Sequence, residues 1–273
     1  MDIMREVTER IISQLEKGIV PWHQTWYGKQ GCISGVTGKG YSLINQCLLG
    51  RPGEYYTFKQ ITELGGKVKK GEKASKIVFW KVYEKETDEL DEKGNKKVEK
   101  IPVLKWYSVF DIDQTEGIEA KYNKTFDVDM SDDDEAENLV YDYIDRESIA
   151  FDICKGKEPT YDKGNDAISC PEVTSFKSSG DYFSVVYHLM VNSTANEKRL
   201  NRDYDEVKEN LIGELGAACL CNLMGLETKD TFDNSAAYIQ KWIEALEKDR
   251  TLIVSASGKA EKAIKYILEG EAA

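Results

Sequence analysis

The sequence predicts an α+β protein of two domains: an N-terminal α+β domain over residues 1–125 with a long β-hairpin, and a helix-rich C-terminal domain over residues 126–273. Three observations carry this expectation. Two segments of the first half, KIVFWKVYE and IPVLKWYSVF, are rich in β-branched and aromatic residues and flank a polar stretch with a Gly-Asn turn signal. Several segments of the second half repeat apolar residues at helical spacing. The formal charge also changes sign along the chain: residues 1–110 carry 19 Lys/Arg against 14 Asp/Glu, and since the whole chain stands at −12, residues 111–273 hold −17. With 273 residues, 41% hydrophobic content and 15 tyrosines, there is enough apolar surface for real cores.

Taken in order, Ile3, Val7, Ile11, Ile12 and Leu15 lie on one helical face from Ile3 to Lys17, with Gly18 ending the helix and Pro21 preventing its resumption. TFKQITELGG reads as a short helix with Thr57 as cap, Gln60 completing a capping box, and Gly65 and Gly66 as the stop. A lysine-rich segment follows, then the hairpin with an exposed tip. After Phe110 the composition turns acidic, through DIDQTEG to Asp127, Asp129, Asp132, Asp133, Asp134, Glu135 and Glu137, and the domain boundary falls here. Beyond it come a helix near Glu135–Glu147, short strands at AFDI and DAISC, and helices over Asp181–Asn192, Asp205–Met224, Ser235–Lys248 and Lys259–Leu268.

No stretch approaches the roughly 20 apolar residues of a membrane span, and the charged N-terminus lacks a signal peptide's apolar centre, so a cytoplasmic protein without membrane partner is expected. The six cysteines include no CxxC pair; reduced, mostly buried thiols are the expectation. There is no Walker loop and no Gly-x-Ser-x-Gly elbow, and nothing in the sequence calls for a cofactor. The aspartate-rich segments DVDMSDDDEAEN and DIDQTEGIEAKY lack the glycine and the final glutamate of a calcium-binding loop.

Four ordered blocks carry a family resemblance. VTERIISQLEKGIVPWHQTW, GVTGKGYSLIN, TFKQITELGGKVKKGEKASKIVFWK and YSVFDIDQTEG resemble the N-terminal domain of the ArdC-like antirestriction proteins of mobile genetic elements. KRLNRDY, ENLIGELGAACLCNLMG and AAYIQKWIEALEKDRTLIVSASGKAEKAIKYI resemble that family's zincin-like domain. The resemblance implies that the first domain binds single-stranded DNA and that the protein protects incoming phage or plasmid DNA from host defence.

The chain departs from the family where the chemistry resides. The family's His-Glu-x-x-His helix grips zinc between two histidines on one helical face, with the Glu as general base. The matching segment here is Tyr187-His188-Leu189-Met190-Val191-Asn192: Leu189 stands at the base and Asn192 at the second ligand. Glu214 falls where a further ligand belongs, and the only other histidine, His23, lies in the first domain. The expectation is therefore a non-catalytic zincin-like domain without metal, with His188, Asn192 and Glu214 as vestigial positions.

For DNA, Lys17 to Lys81 holds 11 basic residues against three acidic ones. Lys59, Lys67, Lys69, Lys70, Lys73 and Lys76, with Gly65, Gly66 and Gly71, offer ammonium and backbone N–H groups to phosphates. A charge run of this kind otherwise marks a solvated loop. Lys39 and Asn45 join the candidates from the GVTGKGYSLIN block. Of six nearby aromatics, Trp26 and Tyr41 are the ones expected to stack on bases, whereas Trp22 and Trp80 are expected inside. The alternative function is an inhibitor whose acidic half binds a host defence protein directly; an active metallopeptidase lacks the residues it needs.

Overall fold

The structure, a computed structural model, describes residues 2–23, 31–90, 96–122, 133–154, 158–203, 205–226 and 232–270. It opens on α1 (Ile3–Leu15), capped by the Asp2 carboxylate, which accepts from the N–H groups of Met4 and Arg5. Val7, Ile11 and Leu15 line its buried face as the spacing predicted. After a 3-10 turn at Pro21–His23, β1 (Cys32–Ser34) runs parallel to β2 (Gly53–Tyr56), with α2 (Leu43–Leu49) in the connection between them. These three elements are 3, 4 and 7 residues long, too short for periodicity to betray them. α3 (Phe58–Glu63) carries the expected Thr57/Gln60 capping box.

β3 (Lys67–Val68) leads into the hairpin of β4 (Ser75–Leu90) and β5 (Lys96–Asp111), two strands of 16 residues each. The hairpin's tip lies outside the described residues. The main sheet has the order β1-β2-β5-β4, and β6 (Thr115–Glu116) pairs with β3 to close a small second sheet. At its base the hairpin is covered on both faces. On one, Val78, Leu104 and Trp106 meet α1 and α2, and the Trp106 indole donates to Glu6 at 2.9 Å. On the other, Ile77 and Val109 join Cys32 and Tyr55 in a small separate core.

α4 (Asp133–Glu147) follows, with Asp133, Asp134 and Glu135 in its first turn, where carboxylates suit the helix dipole. The rest of the predicted acidic run, Asp127 to Asp132, and the proposed boundary at residues 125–126 lie outside the described residues. β7 (Ala150–Ile153), β8 (Thr160–Asp162) and β9 (Ala167–Cys170) form a sheet of order β7-β9-β8, of which β8 was not predicted. Then come α5 (Ser179–Ser193), α6 (Glu206–Leu223), α7 (Phe232–Lys248) and α8 (Leu252–Glu269). α8 starts seven residues before the expected Lys259 because its first turns bury Leu252, Ile253, Val254 and Ala256, leaving no polar face to mark a period.

The protein is thus α+β, with a sheet in the N-terminal part and mostly helices in the C-terminal part. One hydrophobic cluster nevertheless draws on both ends of the chain. α1 packs against α7 and α8, the Pro21–His23 turn against α6, and α2 against α8. Trp22 meets Trp242 edge to face, with ring centroids 5.4 Å apart. Four of the six cysteines are buried, and burial pushes the Cys32 thiol up to about 12, well outside the reactive range. Among the described residues no helix is long and apolar enough to cross a membrane.

Candidate functional site

The lysine-rich segment is exposed as expected, but its charges are partly answered. Lys67 pairs with Glu116 at 3.0 Å, Lys59 with Glu63 at 3.5 Å, and the Lys69 ammonium donates to the Asp113 carbonyl at 2.7 Å. Asp113 and Glu116 lie beyond Lys81, where the charge count stopped; pairing of β3 with β6 brings them back. Such exposed pairs are worth at most about 1 kcal/mol, so a phosphate can exchange for the carboxylate. Lys39, Lys70, Lys73 and Lys76 are also exposed.

Part of the backbone anticipated as a phosphate cradle is already engaged. The N–H groups of Gly65, Gly66, Lys69 and Glu72 donate to the carbonyls of Thr62, Ile61, Gln114 and Lys69 respectively, so they are occupied in turns and strand pairing. Lys76 instead sets its ammonium 5.7 Å from the Trp106 ring centroid. Asn45 is also corrected: it is fully buried, and its amide donates to the Val78 carbonyl and accepts from the Val78 N–H, both at 2.8 Å. It anchors α2 to the hairpin and is not available to a ligand.

Trp26 lies outside the described residues. Tyr41 is half-buried at the edge of the small core, its ring 6.1 Å from Phe79, and burial pushes its hydroxyl up to about 12. Trp22 is buried as expected. Trp80 is not: it is 51% exposed, because the hairpin projects past the helices that cover its base. Phe79, Tyr83 and Tyr107 are exposed too, and sequence reasoning missed them because an apolar strand run reads as core.

In the C-terminal part, α5 and α6 cross where Gly213 and Gly216 leave room. A Cβ on Gly213 would come within 2.7 Å of the His188 ring and 2.8 Å of Asn192 Oδ1; one on Gly216 would meet Val191 Cγ2 at 2.6 Å. The close crossing brings His188 and Glu214 into contact and sets Asn192 beside Gly213. His188 Nδ1 stands 3.2 Å from Glu214 Oε1. Asn192 Oδ1 is buried and finds no hydrogen-bond partner among the described residues. Leu189 is buried in the hydrophobic cluster.

One residue arrives that sequence reasoning had left apart. His23 Nε2 lies 3.0 Å from Glu214 Oε2, so a carboxylate on α6 is held between a histidine of α5 and a histidine of the N-terminal turn. Burial alone would raise the Glu214 carboxyl, but the hydrogen bonds from His188 and His23 outweigh it and hold the group down at about 2. No local signal predicts this contact, which spans 191 positions and depends on Trp22 docking beside Trp242. The two histidines address different oxygens, and among the described residues no three His, Cys, Asp or Glu side chains are placed to hold one metal ion.

Comparison with known proteins gives this arrangement its context. Residues 1–110 match the model of the N-terminal domain of anti-restriction factor ArdC, and residues 140–259 match a zincin-like metallopeptidase domain. The crystal structure of the metal-free antirestriction ArdC protein from R388 plasmid aligns with a TM-score of 0.78 and 31% identity, covering 98% of this chain and 97% of that one. The chain belongs to the ArdC antirestriction family. The Mn(II)-bound structure of the same plasmid protein aligns with a TM-score of 0.76 and the same identity, over 98% of both chains. Two DNA primases TraC from Escherichia coli are 26% and 27% identical over 97% of this chain, which spans only 20% and 27% of their lengths. An uncharacterized protein of Sinorhizobium fredii is 26% identical over 96% of this chain and 90% of its own. Within this ArdC-like chain, then, the zincin-like domain is present, with Leu189, Asn192 and a His23–Glu214–His188 bridge at its centre.

Proposed function

We propose that this ArdC-like protein is a non-catalytic single-stranded-DNA-binding protein of a mobile element, acting in the cytoplasm to protect incoming DNA from host defence. The observation that carries the reading is a set of exposed lysines, Lys39, Lys59, Lys67, Lys69, Lys70, Lys73 and Lys76, in the part that matches the ArdC N-terminal domain, within a chain of net charge −12. A local cationic surface on an acidic protein selects a polyanion while limiting indiscriminate binding. The relatives called DNA primases agree with DNA as the partner. With the full-length protein, we expect oligonucleotide binding that prefers single strand over duplex. Its log affinity should fall with log salt by about 0.7 per phosphate neutralised. Equal affinity at low and moderate salt, or no binding, would sink the reading.

The second half acts here as a scaffold. The donor set does not fit a hydrolytic zinc centre: Asn192 offers a neutral amide where imidazole is needed, and Leu189 has no group to take a proton from a metal-bound water. Glu214 is already engaged by the two imidazoles, at 3.0 and 3.2 Å. Purified protein is therefore expected to hold no stoichiometric zinc, to leave casein and its own chain uncleaved, and to keep its Tm in chelator. A structural metal would couple its binding to folding. One zinc per chain, or a chelator-induced drop in Tm, would overturn the assignment.

A further inference from the structure

We propose that the outer face of the β4–β5 hairpin carrying Phe79, Tyr107, Tyr83, Lys81 and Lys105 is a base-stacking platform for single-stranded DNA, with Tyr41 at its inner edge. The proposal rests on the single-strand reading above and says where the bases go. In the antiparallel register Ile77 faces Tyr107, Phe79 faces Lys105, Lys81 faces Val103 and Tyr83 faces Ile101, so these side chains share one face. That face starts in the small core at Ile77 and Val109 and runs outward into solvent. Solvated strand faces ordinarily carry polar side chains. Here Phe79 is 43% exposed and Tyr107 40%, with ring centroids 5.6 Å apart.

The cations lie among the rings. Lys105 and Lys81 place their ammonium groups 5.0 and 5.2 Å from the Tyr83 ring centroid. Lys105 lowers the Tyr83 hydroxyl through its hydrogen bond and its charge. Phe79 to Tyr83 spans about 13 Å of strand, enough for more than one base. Rings that take bases, alternating with ammonium groups that take phosphates, are what a sequence-tolerant single-strand site requires. On the opposite face the exposed Trp80, Val82 and Pro102 lie between Lys76, whose ammonium sits over Trp106, and the Glu84/Lys100 position, and this face serves as an internal control.

The test compares full-length proteins on a labelled oligothymidylate and on an abasic strand of equal length and charge. Phe79→Ala/Tyr107→Ala is expected to weaken oligothymidylate binding roughly 25-fold or more, each ring contributing at least about five-fold, while leaving abasic binding within about two-fold. Phe79→Leu/Tyr107→Leu, which keeps the apolar cover over Tyr41, is expected to lose the same stacking without unfolding, and Trp80→Ala to lose nothing. Lys81→Ala/Lys105→Ala should weaken both strands and reduce the salt slope by about 1.4. If wild type binds oligothymidylate and both double ring variants match it, or if wild type binds the abasic strand equally well, the platform is wrong and the lysines alone hold the strand. If wild type binds no single strand, the single-strand reading fails and the platform with it.

Discussion

Trp242→Ala is expected to cost about 3–5 kcal/mol, the range for removing a fully buried aromatic and leaving a cavity. Trp242 is 0% exposed, its indole donates to Asn210 Oδ1 at 3.0 Å, and its ring receives Trp22 from the N-terminal turn. Against a total stability of roughly 5–15 kcal/mol, the loss is a large fraction. The consequence should not stay within the helices of the second half, because Val7, Ile11 and Leu15 of α1 belong to the same cluster. Denaturant titration should give one transition shifted to lower midpoint, and hydrogen exchange should show protection in α1 falling with that in α6. Unchanged protection in α1 would mean that the two parts open independently. Trp242→Phe keeps most of the volume and should cost only about 1–2 kcal/mol, chiefly for the unpaired Asn210 oxygen.

The elements legible in the sequence are those with length or chemistry on their side. α1 announces itself by five apolar residues on one face, α3 by its capping box, and the hairpin by two β-rich runs around a turn. The segments β1, α2, β2 and β8 are too short to repeat any pattern, and their positions come from tertiary pairing. The candidate site divides the same way. His188 and Asn192 sit four apart on one helix, so their nearness is local, and Glu214 was reachable by resemblance. His23 joins them only through the docking of Trp22, which no spacing rule encodes. Asn45 enters the candidates only through the GVTGKGYSLIN resemblance, whereas its buried amide mimics a strand partner for Val78. Trp80 departs from expectation for the converse reason: an aromatic in an apolar strand run looks buried, and only the helices' failure to cover the outer hairpin leaves it, with Phe79, in water.

Arg202→Ala is the second large effect expected, about 3–5 kcal/mol, because it strands a buried charge. The guanidinium meets Glu209 in bidentate fashion, Nε to Oε1 at 3.0 Å and Nη2 to Oε2 at 2.7 Å. It also donates to Thr194 Oγ1 at 2.7 Å and to the Val191 carbonyl at 3.0 Å. Both partners are buried, with 7% and 3% of their side chains exposed, so water cannot replace the missing group. The clamp ties the C-terminal end of α5 to the first turn of α6, close to the crossing at Gly213 where His188 and Glu214 meet. Arg202→Lys should recover only part of the loss, since an ammonium cannot reproduce the planar fork. Arg202→Met/Glu209→Leu removes both charges together and should be distinctly milder than Arg202→Ala, because an unpaired buried carboxylate costs more than the pair is worth. Urea midpoints of the three variants decide the matter. A loss below about 1 kcal/mol for Arg202→Ala would show that Glu209 finds water or another partner and that the α5–α6 crossing stands without the clamp.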